Sequence, residues 1–433
     1  MNKRILKIAL PNIVSNITIP LLGIVDLALM GHLGNIDFIG AIALGGTIFN
    51  FLYWGFASLR MSTTGITAQA YGARNLSETI LSLSRALLVA LIGSTIILLL
   101  QNPIADLSFY VIDSEESVEA IAKSYYYIRV WAAPATIGLY ALTGWFIGMQ
   151  NSKIPMIIAV TSNTINIVLS SYFVYGMNLD ARGVALGTVI AQYCGLFIAL
   201  FFILRFYRRL FHYWSRKGMM QIKELKNFIA INKDIFIRTL CIIFVFTFFI
   251  TESANTNKTI LAVNSLLLQF LFIFSYFMDG FAFAAEALVG KFIGAKNQTG
   301  LKSVIRLLFI WGIGISLAFT IFYATSSNWI LAALTNNEST ILEAQAYIKW
   351  IVLLPILSFG SFLLDGIFIG ATASVYMRKT MMAATLFVFI PSYYFLSDSF
   401  QNHGLWIAML GFMLARGVFQ TIYYKKAVLL KFN

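Results

Sequence analysis

Twelve long apolar runs, separated by short polar or turn segments, make up most of this 433-residue sequence. A helix that crosses the hydrocarbon core of a bilayer needs about 20 mostly apolar residues, which each run supplies. With 59% hydrophobic and 11% charged residues, the chain leaves no room for a sizeable soluble domain. We therefore predict an all-α integral membrane protein with twelve transmembrane helices, and the composition argues against a nucleic-acid binder or a cytosolic enzyme. The runs lie at about 11–31, 39–60, 83–105, 122–149, 154–176, 183–205, 235–255, 260–287, 303–326, 343–370, 379–397 and 404–424.

Basic residues lie mainly in alternate loops. Starting from a basic N-terminus, 24 of the 31 lysines and arginines fall on one side of the predicted spans. The stretch 205–233 alone has eight of them against a single acid, Glu224. Cytoplasmic loops of membrane proteins are enriched in Lys and Arg. We predict a multi-pass protein of the cell (inner) membrane with both termini cytoplasmic, and an uncleaved first span, since no small-residue cleavage site follows the first run.

Three sequence segments of the first half recur in the second half. AYGARN (70–75) returns as FIGAKN (292–297), and GWFIG (144–148) returns as GIFIG (366–370), both with an offset of 222. YIRVWAAP (127–134) likewise matches YIKWIVLLP (347–355), with one insertion. The repeat predicts an N-lobe (1–205), a basic cytoplasmic linker (206–234) and a C-lobe (235–433). Six spans in each lobe predict pseudo-two-fold symmetry along the membrane normal, with a cavity between the lobes, as in transporters.

Asp26 is the sharpest polar feature within a predicted span. A charged side chain at mid-membrane costs roughly 2.5–3.5 kcal/mol on insertion scales, so an intramembrane carboxylate is a functional candidate. No basic residue lies within two turns of Asp26 on the same predicted helix. Pro20, six residues earlier, removes a backbone donor and weakens that helix. We predict that Asp26 has a functional role and that Pro20 acts as a hinge in this helix.

Further polar side chains are predicted at the depth of Asp26. Asn163, Asn166 and Ser170 are spaced by three and four residues, which places them on one face of span 5. Span 6 brings Thr188, with Gln192 one turn deeper, and span 4 brings Tyr126. The alternative interpretation is that these groups only hold helices together through hydrogen bonds.

The second half contains its own intramembrane acids. Asp279 and Glu286 share one face of span 8, and Asp365 lies on span 10. Arg416, Lys291 or Arg306 could neutralise them, so an ion-pair network and a role in transport are both open. Arg129 and Lys349 occupy matching positions in the repeat, and both are expected to extend their charged ends towards the membrane surface.

The sequence offers little support for enzymatic chemistry. Its three histidines lie in loops or at span ends, and its two cysteines lie in apolar runs. No nucleophile elbow and no Walker-type phosphate loop occur. We therefore predict a protein that is not an enzyme, with no cofactor, no metal centre of the His or Cys type and no use of ATP by this chain.

Several of these segments together resemble the multidrug and toxic compound extrusion (MATE) family, in its DinF branch. They are NITIPLLGIVDLALMGHLG (16–34), RMSTTGITAQAYGARN (60–75), GWFIGMQNSKIPM (144–156), MDGFAFAAEALVGKFIGAKN (278–297) and FLLDGIFIGAT (362–372). The resemblance covers essentially the whole chain. It implies two lobes of six helices and the export of organic, often cationic compounds in exchange for protons or sodium ions.

The resemblance also implies roles for individual residues. The branch's carboxylate in helix 1 matches Asp26, its asparagine in helix 5 matches Asn166, and its threonine in helix 6 matches Thr188. A tyrosine in helix 4 matches Tyr126 or its neighbour Tyr125. Helices 8 and 10 keep the branch's acids as Asp279, Glu286 and Asp365.

Two departures from the branch pattern bear on the coupling ion. Where the branch usually has a second acid in helix 5, this chain reads NIVLS and places Ser170, and AEY in helix 6 becomes AQY with Gln192. A sodium ion at Asp26, Asn166 and Thr188 would then have one carboxylate and otherwise neutral ligands. We therefore favour protons over sodium as the coupling ion.

Two other classes of function are compatible with twelve transmembrane helices. A lipid-linked oligosaccharide or lipid flippase of a related two-lobe fold is the alternative, although such cavities usually contain several basic residues. A passive channel or a scaffold would not need a layer of polar groups around a lone carboxylate. The expected partners are small organic substrates and the lipid bilayer, without nucleic acid, and we expect a monomer because the cavity lies within one chain.

Overall fold

The chain is helical throughout the part that its computed structural model describes, residues 1–33, 36–112 and 114–429, and these ranges contain no strand. Twelve helical segments in them are long and apolar enough to cross a bilayer, which confirms the predicted fold class. In chain order, they are α1 (Asn2–Gly31), α2 (Asp37–Gly72), α3 (Leu76–Leu99), α4 (Glu116–Gly148), α5 (Lys153–Gly176), α6 (Asp180–Phe206), α7 (Ile222–Thr256), α8 (Lys258–Gly294), α9 (Gln298–Leu334), α10 (Ile348–Gly370), α11 (Ser374–Phe400) and α12 (Asn402–Ala427).

Several of these segments contain local irregularities. α2 consists of Ile36–Trp54 followed by Ala57–Gly72, and α4 contains a 3₁₀ turn at Val130–Ala132. π-helical turns end α5 at Tyr172–Gly176 and interrupt α11 at Thr385–Phe389. In the described parts of the connections, four shorter helices lie between the spans: Gln101–Val111, Arg208–Tyr213, Arg216–Met219 and Glu338–Gln345.

Helices often continue beyond the apolar runs that predicted them. α4 begins at Glu116 and α7 begins at Ile222, well before the apolar runs at 122 and 235. Their first turns are rich in Glu, Lys, Ala and Ile, and most of these residues are good helix formers. Hydropathy therefore locates the part of a helix that suits the bilayer, whereas helix propensity and capping determine where the helix begins.

The chain divides into two compact units. One contains Leu10–Ile229, and the other contains Met1–Ala9 together with Ala230–Asn433. The first unit holds α2–α6 and most of α1, while the second holds nearly all of α7 and α8–α12. The lobe boundaries proposed from the sequence remain a prediction, and the second part of the proposed linker is already helical from Ile222.

Two glycines bring α4 against α2 in the first unit. A Cβ atom added to Gly144 would collide with the backbone carbonyl of Arg60. One turn later, a Cβ atom on Gly148 would lie 2.9 Å from the carbonyl oxygen of Thr64. The two helices thus pack backbone against backbone, as small residues spaced by four allow in membrane proteins.

The second unit repeats this crossing between α10 and α8. A Cβ atom on Gly366 would collide with the carbonyl of Ala282, and one on Gly370 would lie 2.6 Å from the carbonyl oxygen of Glu286. Both the glycines and the carbonyls they meet are offset by 222 from their counterparts in the first unit. The sequence repeat therefore corresponds to a repeated helix crossing.

The turn after α2 recurs after α8 as well. Arg74 has a φ of 56° and Lys296 a φ of 52°, again 222 residues apart. The next residue caps the following helix in both cases: the side chain of Asn75 accepts from the amide of Glu78, and that of Asn297 accepts from the amide of Gly300. Together with the glycine crossings, these turns support an origin of the two halves by duplication.

We expect Gly144→Ala to destabilise the protein by about 1–3 kcal/mol, because the added methyl group requires two backbones to move apart. Gly46→Ala on α2 is the matched control, since its Cβ atom would have nothing within 4 Å. The control should unfold at or above the wild-type temperature, because Ala is the better helix former. Thermal unfolding of the purified protein in detergent measures both, and equal stability of the two variants would contradict the backbone crossing.

Candidate functional site

Asp26 lies on α1, which continues as a helix through Pro11 and Pro20. The side chain is half-buried, and its Oδ1 atom is buried without a hydrogen-bond partner among the described residues. Burying a polar atom without a partner is costly, and a charged one more so. Binding of a proton or a cation would therefore lower the free-energy cost of burying this carboxylate.

Side chains of α5 donate hydrogen bonds to the backbone of α1. The side-chain amide of Asn163 donates to the carbonyl of Thr18 over 3.3 Å, and the hydroxyl of Tyr175 donates to the carbonyl of Leu29 over 3.3 Å. These contacts are eleven residues apart on α1 and twelve apart on α5, so the two helices run side by side nearly in register. Interpolation between them places Ser170 within about one helical turn of the level of Asp26.

Asn166, Ser170 and Thr188 form a buried polar cluster between α5 and α6. The amide of Asn166 donates to Thr188 Oγ1 over 3.0 Å, and Ser170 Oγ donates to Asn166 Oδ1 over 3.3 Å. Gly187 permits the close approach, since a Cβ atom there would lie 2.5 Å from Ser170 Oγ. In the described ranges, none of the bonds of this cluster reaches Asp26.

The structure does not bring Tyr126 and Gln192 into this cluster. The hydroxyl of Tyr126 donates to the carbonyl of Gln101 over 3.1 Å, and its ring stacks on Phe49. Gln192 is half-buried and makes no hydrogen bond to the cluster within the described part of the chain. Asp26 also lies outside the cluster. The residues considered as sodium ligands, Asp26, Asn166 and Thr188, therefore do not all contact one another in the described ranges.

Arg129 does not extend to the membrane surface as expected. It is half-buried, and its guanidinium lies 4.8 Å from the ring centre of Phe49 and 5.4 Å from that of Tyr125. It also donates a hydrogen bond to the hydroxyl of Tyr125. The expectation failed because α4 begins at Glu116, which places Arg129 about 20 Å along the helix rather than at its end. Lys349, its counterpart in the repeat, is exposed, with its amine 5.0 Å from the ring centre of Trp350.

Asp365 is the centre of a buried ionic network in the second unit. Its Oδ2 atom accepts from Arg238 and, over 2.7 Å, from Arg416. Gln420 donates to its Oδ1 atom over 2.5 Å. The sequence left an ion-pair network and a role in transport open for the acids of the second half. For Asp365, the geometry shows the ion-pair network. The role of Arg238 was not evident from the sequence, because the apolar run placed that residue at a span end.

The other two acids of the second unit have different surroundings. Asp279 is half-buried and lies within electrostatic range of Arg416. Glu286 is almost fully buried, at 1% exposure, and its backbone carbonyl forms the crossing with Gly370. Lys291 follows on the same helix α8. These acids thus belong to the packed α8, α10 and α12 core of the second unit.

Comparison with known proteins identifies the fold. A family model described as MatE matches residues 11–172 and again 235–394. DNA damage-inducible protein F of Escherichia coli (strain K12) is 37% identical over 423 residues, which cover 96% of this chain and 90% of that protein. The probable multidrug resistance protein NorM of Bacillus anthracis is 24% identical over 335 residues, covering 74% of this chain and 71% of that protein.

Solved structures agree over nearly the whole length. The Vibrio cholerae MATE transporter VcmN in its bent form matches with a TM-score of 0.86 at 18% identity, over 99% of this chain and 97% of that one. An outward-facing multidrug resistance MATE family transporter matches with a TM-score of 0.88 at 19% identity, over 99% and 96%. The two family matches exceed half of the chain and follow its internal repeat. The chain belongs to the MatE family of multidrug and toxin efflux transporters, in the DinF branch, and it is a membrane transporter rather than an enzyme.

Proposed function

We propose that this protein exports small organic, often cationic, compounds in exchange for protons, by alternating access. The observation that carries the proposal is Asp26, an intramembrane carboxylate with a buried oxygen that has no partner among the described residues. Intramembrane carboxylates of this kind mark proton and ion pathways. Protonation removes the charge and lets the acid donate a hydrogen bond, so it changes the interactions of α1.

The neighbouring polar groups favour a proton over a sodium ion. A sodium ion must replace its hydration shell with several oxygen ligands, whereas a proton needs a single oxygen. Asn166, Ser170 and Thr188 are already joined to one another by hydrogen bonds, and none of them is charged. A sodium ion at Asp26 would have to break these bonds and would gain only one carboxylate.

Helix α1 is the element that protonation would move. Pro20 has no amide hydrogen, so the helical hydrogen bond from position 20 to the carbonyl of Asn16 is missing. The hydroxyl of Thr18 bonds to the carbonyl of Ser15 over 2.8 Å, and Asn163 bonds to the carbonyl of Thr18. The region around Pro20 therefore depends on side-chain bonds, which a change at Asp26 can rearrange.

We place the protein in the cell (inner) membrane, with both termini in the cytoplasm and as a monomer. The loops on the same side as the termini are rich in Lys and Arg, and such loops are cytoplasmic by the positive-inside rule. α6 ends with Arg205 in its last turn, and the stretch that follows and joins the two sets of six spans carries Arg208 and Arg209; all three are exposed. Reporter fusions at the termini and at this stretch test the orientation, and an extracellular position for either would contradict it.

The test of this function is dye efflux from proteoliposomes under one imposed gradient at a time. A fluorescent organic cation should be transported against its gradient when protons alone provide the driving force. A sodium gradient alone should produce no transport above that of protein-free liposomes. Transport driven only by sodium would keep the efflux function and overturn the choice of ion.

The same preparation tests the alternative function. If neither gradient moves the dye, flipping of a labelled lipid-linked oligosaccharide should be measured in these proteoliposomes. Protein-dependent flipping would then replace the multidrug proposal. Dye transport under either gradient would exclude a dedicated flippase.

A further inference from the structure

A half-buried arginine lies among aromatic rings in the first unit. We define the Arg129 cluster as Phe49, Tyr53, Tyr125 and Arg129. Phe49 stacks on Tyr53 with ring centres 5.6 Å apart, and the guanidinium covers Phe49 and bonds to the Tyr125 hydroxyl. No carboxylate forms an ion pair with Arg129 in residues 1–33, 36–112 and 114–429. The cation is thus held by ring faces and a hydroxyl rather than by direct contact with an anion.

The face of α1 that carries Asp26 belongs to the same hydrophobic core as the aromatic residues of this cluster. Leu29 and Met30 follow Asp26 by three and four residues and therefore share its side of the helix. Both are buried in the same hydrophobic cluster as Phe49, Tyr53 and Tyr125. Arg129 also lies within electrostatic range of Asp26, and Asp26 within that of Tyr125. Asp26 and Arg129 are thus opposite charges in one low-polarity region, without direct contact.

We infer that Arg129 is a built-in positive charge that keeps sodium ions away from Asp26 and reserves this carboxylate for protons. The inference rests on the proposed function and adds a residue that determines which ion is used. A sodium ion binds a carboxylate by electrostatic attraction alone, and a neighbouring fixed positive charge cancels much of that attraction. A proton forms a covalent O–H bond with the carboxylate, so its binding withstands the same repulsion.

The test is sodium binding to purified protein in detergent, measured with radioactive sodium. Arg129→Gln should bind sodium at least about tenfold more tightly than wild type, the effect of removing one unit charge at short range in a protein interior. Arg129→Lys keeps the charge and should bind as weakly as wild type. Lys349→Gln removes the counterpart in the repeat, which is exposed and outside the cluster, and should change nothing.

A second set of variants locates the new site and guards against misfolding. Adding Asp26→Asn to Arg129→Gln should abolish the gained binding. If Arg129→Gln does not fold, Arg129→Met gives an apolar side chain of similar length for the aromatic surroundings and should show the same gain. Folded Arg129→Gln or Arg129→Met protein with wild-type sodium binding overturns the inference.

The outcomes separate this inference from the proposed function. Wild-type protein that is driven by protons, with no gain of sodium binding in the variants, would leave the function intact and remove the role of Arg129. Wild-type protein that is driven by sodium would overturn both proton coupling and the exclusion of sodium by Arg129. Gain of sodium-driven dye transport in Arg129→Gln would support both.

Discussion

An Asp26→Asn variant is expected to lose proton-driven efflux down to the level of protein-free liposomes. The amide has nearly the same size as the carboxylate but cannot exchange a proton, so the cycle loses its coupling step. Because Asp26 Oδ1 has no hydrogen-bond partner among the described residues, the substitution breaks no bond at that atom. Thermal stability should stay within a few degrees of wild type or rise, since a half-buried charge is removed.

The matched control for this variant is Asp106→Asn. It makes the same chemical change at an exposed position of the helix Gln101–Val111, which lies outside the spans. The control should transport dye at the wild-type rate. Asp26→Asn protein that is folded and still shows full proton-driven efflux would remove Asp26 from the coupling mechanism.

The largest effect on stability is expected at Asp365. Asp365→Asn leaves the guanidinium groups of Arg238 and Arg416 buried without an anion at bonding distance in the described network. Breaking a buried ion pair by removing one partner costs about 3–5 kcal/mol. We therefore expect a large fall in the unfolding temperature, or a protein that does not accumulate.

Two further variants show whether charge is the cause. Adding Arg416→Met to Asp365→Asn should recover part of the lost stability, because it removes one of the two unpaired charges. Glu119→Gln breaks the partly exposed ion pair with Lys123 and should change the unfolding temperature little, since ion pairs in contact with solvent contribute little. A stable Asp365→Asn protein would show that Asp365 is free to act in transport instead.

Hydropathy and repeats in the sequence were sufficient for the twelve spans and the duplication. Asp26 could also be singled out, because a carboxylate in an apolar run is conspicuous. The pairing of Asn166, Ser170 and Thr188 followed from helical spacing and from a shared depth on α5 and α6. Each of these features depends on residues that are close in the sequence or on hydropathy, and could therefore be predicted from the sequence.

The surroundings of Arg129 and Arg238 did not follow from the sequence. Both lie near the edge of an apolar run in the sequence, which favours a position at the membrane surface. Their helices in fact begin at Glu116 and Ile222, so each arginine lies several turns inside a helix. The spacing of Tyr125 and Arg129 by four residues was an available signal, but the identity of the facing helix depends on tertiary packing.

The glycine crossings also determine which parts of the protein evolution can adjust. The distance between two backbones in contact cannot be changed by substituting a neighbouring side chain. Small, stepwise changes at these crossings are therefore not accessible to selection. Side chains around it have no such restriction: Thr143 in the first half and Asp365 in the second occupy equivalent positions, 222 residues apart. A duplicated chain can thus diversify its chemistry on an unchanged scaffold. Mutant libraries that spare Gly144, Gly148, Gly366 and Gly370 should therefore be the richer source of transporters with altered substrate range.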